Sequence, residues 1–178
     1  MSVMRASMML ALGFLAACTV EEPGKSVAGP AQSAAATQAS PSPRELFDDV
    51  EACEVLDRAV VGQGFPPGTF SGIGSDNGCR TQVTGTALGL TLDDRQGIDA
   101  LAAADPGKSF SGHVGERRAV QVKDSVGDGG ACEIGIEVAP QARAVVMVVL
   151  GSNRPTDEAC SKAKEIATAI EPVLPMGE

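Results

Sequence analysis

The chain has 178 residues, with 14 Lys and Arg against 23 Asp and Glu, a formal charge of −9. That balance disfavours a polyanionic partner: nucleic-acid binding needs a basic stripe, and the bases here are scattered singly apart from Arg117-Arg118. Trp and Tyr are absent and Phe occurs only five times, so a sugar or a base finds few platforms for stacking.

Arg5 is the one charge before Cys18, and residues 6–17 form a short uncharged apolar run. The run is well under the roughly 20 residues a bilayer-spanning helix requires, so residues 1–17 read as an export signal peptide. In Leu15-Ala16-Ala17-Cys18, small residues directly precede a cysteine. The stretch looks like the lipobox of bacterial lipoproteins, in which the thiol takes a diacylglyceryl group and cleavage then leaves the cysteine as the new N-terminus. Each buried methylene contributes about 0.8 kcal/mol, so palmitate-type chains on Cys18 suffice to hold a protein on a membrane without a span. The expected location is therefore the extracytoplasmic face of the cell membrane, with the membrane as first partner. Removing residues 1–17 takes away Arg5 and no acid, which leaves 13 bases against 23 acids, a net −10.

From Thr19 to Pro43 the chain is rich in Ala, Ser, Pro, Gln and Gly with almost no large apolar side chain. Such a segment buries too little surface to offset the entropy of ordering it. Residues 18–43 are thus expected to be a lipidated cysteine followed by a flexible tether, with a mean reach of roughly 25 to 30 Å. Residues 44–178 are long enough for one domain with its own core.

Four cysteines remain: Cys53, Cys79, Cys132 and Cys160. In an oxidising compartment they are expected to pair. Three connectivities are open on paper, and the spacing favours Cys53 with Cys79 and Cys132 with Cys160. A four-thiolate metal site is disfavoured by the compartment and by the lack of any Cys-x-x-Cys. No metal and no cofactor is expected.

Leu46, Val50, Cys53, Leu56 and Val60 recur at helical spacing, with Glu45, Asp48, Asp49, Glu51, Glu54 and Asp57 between them, which predicts an amphipathic helix broken near Asp57. The acids read as its solvated face rather than a cation site. Gly62 and Gly64 end it, and the loop Phe65-Pro66-Pro67-Gly68-Thr69-Phe70 is expected to fold its phenylalanines back onto the core. The glycines of residues 72–78 do not fit a nucleotide-binding loop, because the second gap is one residue too long. Strands are expected at Cys79 to Thr84 and through Leu88, Leu90 and Leu92. Asp94 to Ala104 reads as a short helix with Ile98, Leu101 and Ala102 inward, closed by Asp105-Pro106-Gly107. Gly107-Lys108-Ser109 mimics the end of a phosphate loop, but Ala102 stands where its first glycine belongs.

Alternation places Val120 and Val122 inward, then Cys132, Ile134, Ile136 and Val138, and Ala144 to Leu150 is continuously apolar. Together these predict a three-strand antiparallel meander whose last strand is buried on both faces. Thr156 is expected to cap a final helix with Cys160, Ala163, Ile166, Ala167 and Ile170 in one stripe, stopped by Pro172. The fold class is α+β: an antiparallel sheet of about five strands with helices packed on it, stapled by two disulfides.

The order of lipobox, tether, Cys-Glu-Val-Leu-Asp at 53–57, Asp-Asn-Gly-Cys at 76–79, Gly-Glu-Arg-Arg-Ala-Val at 115–120, Cys132, and Ala-Cys-Ser-Lys-Ala-Lys-Glu-Ile-Ala at 159–167 resembles a group of small actinobacterial lipoproteins known only as a domain of unknown function. The resemblance runs from about residue 44 to 175. It implies two disulfides and an envelope location, and no catalytic residue.

The chemistry-bearing residues name no reaction. His113 is the one histidine, and neither a Gly-x-Ser-x-Gly elbow nor a His-Glu-x-x-His is present. Asp93-Asp94 and Asp124 with Asp128 are acid pairs of the kind turns commonly carry. The expectation is a non-catalytic envelope lipoprotein that binds a protein or a small envelope molecule. Its alternatives are a carrier of a lipid or other apolar ligand in a cavity between helices and sheet, and a carboxylate-dependent envelope enzyme.

Overall fold

A computed structural model describes residues 46–127, 129–151 and 153–177. The expected signal peptide, Cys18, the expected tether and Asp128 lie outside these residues. The elements are helix α1 (Ala52–Ala59), strands β1 (Thr69–Phe70), β2 (Asn77–Val83) and β3 (Thr86–Asp93), helix α2 (Ile98–Ala104), strands β4 (Ser109–Val114), β5 (Arg117–Lys123), β6 (Ala131–Ala139) and β7 (Ala142–Val149), and helix α3 (Thr156–Ile170). None of the helices is long and apolar enough to cross a membrane.

All seven strands join one antiparallel sheet in the order β1-β2-β3-β7-β6-β5-β4. The class is α+β, but the sheet has seven strands rather than the expected five. The two unforeseen strands are its edges. Only Val114 of β4 is buried and both residues of β1 are exposed, so neither carries the apolar alternation by which a strand is read. After β3 the chain crosses by way of α2 to the far edge, then runs back through β4, β5, β6 and β7 until β7 pairs with β3.

The period-two rule fixes the two faces of the sheet. Cys79, Leu90, Val146 and Ile134 lie opposite one another across four strands, as do Leu88, Val148 and Cys132. On this face α1 and α3 pack to make the main core, where Leu56, Leu90, Ile136, Val146, Ile166 and Ile170 are fully buried. Cys53 on α1 bonds Cys79 on β2, and Cys132 on β6 bonds Cys160 on α3, with Cα–Cα distances of 4.9 and 5.0 Å. Each of the two helices on this face is therefore riveted to the strand beneath it.

On the opposite face, among the described residues, α2 alone contributes a helix. Its Ile98 and Leu101 pack on Val120 and Val122 in a second, smaller cluster. The helix seats on a glycine: a Cβ at Gly135 would lie 2.7 Å from Leu101 Cδ2, closer than real contacts allow. This helix covers β4, β5 and β6, and among the described residues no helix covers β7, β3 and β2 on that face.

Three local expectations change. Helix α1 begins at Ala52 rather than near Arg44 and runs unbroken through Asp57, whose carboxylate accepts the Gly68 amide at 2.7 Å and so anchors the proline loop. Its start is held from a distance by Asn77, whose side chain accepts the Ala52 amide at 2.9 Å and donates to the Val50 carbonyl at 2.7 Å. Asn77→Ala breaks both bonds and is expected to cost about 1–2 kcal/mol, comparable with loss of an N-cap, measurable as a lower urea midpoint. Helix α2 begins at Ile98, because Asp93 is still in the sheet. At α3 the cap position falls on Pro155, and Thr156 makes no cap: its hydroxyl bonds the Asp124 carboxylate and accepts the Gly130 amide. Of the two loop phenylalanines, Phe65 packs against the core while Phe70 is exposed.

Candidate functional site

Strand β7 was expected to be buried on both faces. Its alternate residues Ala142, Ala144, Val146 and Val148 are fully buried, whereas Arg143, Val145, Met147 and Val149 are only half-buried. The cause is the short reach of α2. Beside that uncovered row lies a cleft of about 640 Å³. Its floor is Ala87, Gly89 and Thr91 of β3 with Val145 and Met147 of β7. Leu101 of α2 walls one side, and Pro66, Pro67, Ile73 and Gly74 wall the other. The volume lies within the range of small-molecule sites, which are mostly apolar with a few placed polar groups.

Three charged side chains line it: Arg80, Glu133 and Arg143. Arg143 donates through Nη2 to Asp93 at 3.1 Å and through Nη1 to the Gly97 carbonyl at 3.2 Å. Its Nε is buried and has no partner among the described residues. Asp93, 3 % exposed, also accepts the Arg95 amide at 2.9 Å. That pair locks the end of β3 to β7 and to the turn before α2. Glu133 lies beside Met147 in register, and burial raises its carboxyl above the ordinary value. The nearby Ser125 hydroxyl, which makes no hydrogen bond of good geometry, and the positive field of Arg143 act the other way.

A raised carboxyl makes the ionised form a burden on the folded state. Below the ordinary carboxylate range both states are protonated and the burden is absent; it grows as pH rises through the folded value. Glu133→Gln is therefore expected to raise the thermal midpoint at neutral pH and leave it unchanged in acid, which a pair of melting series across pH will read.

The other candidate residues separate. Asp93 serves the ion pair, and Asp94 stands beside Arg95. Asp124 receives Thr156, while Asp128 lies outside the described residues. His113 is exposed on the edge strand β4, opposite Arg118. Lys108 Nζ donates to the Asp124 carbonyl at 3.2 Å and Ser109 to the Asp105 carbonyl at 2.7 Å, so the phosphate-loop mimic is a turn satisfied by its own neighbours. The alternation that turns Cys132, Ile134, Ile136 and Val138 inward puts Glu133 on the opposite face and does not mark it as part of a site. The available signal was Val145 and Met147, apolar residues on the row the main core does not use.

The family model described as "Protein of unknown function (DUF3558)" matches residues 13–172. The chain belongs to the DUF3558 family. No curated protein and no solved structure matches it. The DUF3558 match takes in the whole sheet, all three helices and the cleft. Within it, the short motifs that first suggested a family do structural work. Asn77 holds α1, the four cysteines rivet helices to strands, and Arg117 ties β5 to the C-terminal turn through Glu171 at 3.1 Å and the Leu174 carbonyl at 3.1 Å. Arg118 bridges Glu137 at 2.8 Å and Asp99 at 3.2 Å, joining β5 to β6 and α2.

Proposed function

We propose that this chain is a non-catalytic binding module of the cell envelope, anchored by lipid on Cys18, and that it holds a small apolar molecule in the cleft on the uncovered half of its sheet. The observation that carries this is the half-buried apolar row of β7 lying over no core. A strand needs one apolar face to build a domain; a second apolar row left half-open is surface kept for something else. The sequence's second reading was an apolar carrier with its cavity between helices and sheet; this cleft is bounded by the sheet, one helix and a loop. The net negative charge and scattered bases argue against a nucleic acid in this role.

Gly89 gives a direct test. A Cβ there would meet Met147 Cε at 3.6 Å, an ordinary contact, so a larger side chain is accommodated by the strand and projects into the cleft. Gly89→Leu, in a chain running from residue 18 with Cys18→Ser, is expected to fold normally and to bind the neutral apolar dye Nile red roughly tenfold or more weaker than the parent. Equal dye affinity in the two proteins would remove the cleft from the account.

A further inference from the structure

The sheet ends differently at its two edges. At one, β1 is two residues long and follows Pro66-Pro67-Gly68, a short edge of the kind that resists pairing. At the other, β4 runs through Ser109-Phe110-Ser111-Gly112-His113-Val114 with no proline, no lysine or arginine and no acid. Among the described residues no strand pairs with its outer side.

The register decides which backbone groups that side presents. Strands β4 and β5 turn back on each other across Gly115-Glu116 with Val114 opposite Arg117, and one step beyond the other end of the ladder the Lys108 carbonyl accepts the Lys123 amide at 3.0 Å. In an antiparallel pair, positions that exchange hydrogen bonds alternate with positions that do not. Lys108, Phe110, Gly112 and Val114 therefore spend their backbone groups on β5, while Ser109, Ser111 and His113 point theirs outward. From Phe110 to His113 every residue is exposed.

A copy of the same strand fits this edge. Laid antiparallel with Ser111 on a two-fold axis, it sets Ser109 of each copy against His113 of the other, and each outward pair exchanges both of its N–H···O bonds. In that register Phe110 of one copy faces Gly112 of the other, on both sides of the axis. Phe110 is 51 % exposed on the α3 face, with Lys123 Nζ 5.6 Å from its ring centroid, and a Cβ at Gly112 would meet nothing within 4 Å. Each ring thus covers the bare backbone of an edge glycine, a cross-strand match that stabilises sheets. The chain is acidic overall, but β4 carries no acid, so the copies meet where like-charge repulsion is least.

We infer that two copies of this chain join through β4 into one continuous sheet, with the two-fold axis at Ser111. Such a contact uses the same patch on both copies and closes after two, and the short β1 edges stop further growth. Strands β5 and β6 separate β4 from the cleft over β3 and β7, so pairing leaves the cleft open and does not depend on it.

The test is sedimentation equilibrium from micromolar to millimolar concentration on the chain running from residue 18 with Cys18→Ser, beside the same chain with Ser111→Lys or Ser111→Pro. Lysine places two like charges on the axis, and proline removes an outward N–H that β5 does not use. The parent is expected to dimerise within this range, and both variants at least tenfold more weakly. A parent that stays monomeric at millimolar concentration overturns the inference, and so does a dimer that Ser111→Lys leaves intact. The register is read by oxidative crosslinking of Ser111→Cys beside His113→Cys. Across the axis the two thiol-bearing positions at 111 stand about 5.5 Å apart by Cα, within disulfide reach, whereas those at 113 stand roughly 13 Å apart. Ser111→Cys is expected to crosslink at least tenfold faster than His113→Cys. Equal rates would mean random collision and overturn the pairing, and this comparison requires neither lysine nor proline at the edge.

Discussion

Replacing Cys132 and Cys160 together by alanine is expected to lower the unfolding free energy by about 3–4 kcal/mol, since the bond closes a loop of 28 residues in the unfolded chain. The bond does more than shorten a loop. Cys132 is fully buried on β6 and Cys160 is 8 % exposed on α3, so the sulfurs are also part of the face where α3 meets the sheet. With a urea slope of about 1–3 kcal/mol/M, the loss moves the midpoint down by more than about 1 M. Alanine is the right replacement, because serine would add two buried hydroxyls and confuse the reading. A midpoint within error of the parent would show that α3 is held by packing alone.

Removing Asp93 is expected to be as severe for a different reason. Its carboxylate is 3 % exposed and faces Arg143, whose side chain is 13 % exposed. Asp93→Ala strands that guanidinium away from water, and breaking one half of a buried pair typically costs about 3–5 kcal/mol. The neighbouring Asp94 is the internal control: it stands 4.0 Å from an exposed Arg95, and Asp94→Asn should move stability by no more than about 0.5 kcal/mol. The double change Asp93→Leu with Arg143→Met should recover most of what Asp93→Ala loses, since a buried pair exchanged for apolar side chains of similar size is often close to neutral. Equal effects at Asp93 and Asp94, read from urea unfolding, would contradict the ion-pair assignment.

Those two features mark how far the sequence carries. The disulfide pairing was legible because Cys132 sits on the apolar phase of a strand and Cys160 on the apolar stripe of a helix, and periodicity shows both. The inward rows Leu88-Leu90-Leu92 and Ile134-Ile136 were legible for the same reason. Strand β4 was not: in Ser109-Phe110-Ser111-Gly112-His113-Val114 only the last residue is buried, and its shape comes from backbone pairing with β5. The start of α2 was misplaced because Asp93 is drawn into the sheet by an arginine 50 residues away, a contact no local pattern carries. The cleft was legible only as a possibility. An unbroken apolar strand is compatible with burial on both faces or on one, and the choice depends on how much of the sheet α2 covers. Gly135, the seat of that helix, fixes its place, and its meaning becomes visible only once Leu101 is seen above it.

The uncovered half of the sheet is proposed to hold a small apolar molecule. The most direct test is native mass spectrometry on the protein purified from the membranes of the cell that makes it, beside Gly89→Leu prepared in the same way. The account predicts a discrete non-covalent mass on the parent, lost on denaturation and absent from the variant. A parent that flies bare, or an adduct that Gly89→Leu retains in full, would contradict it.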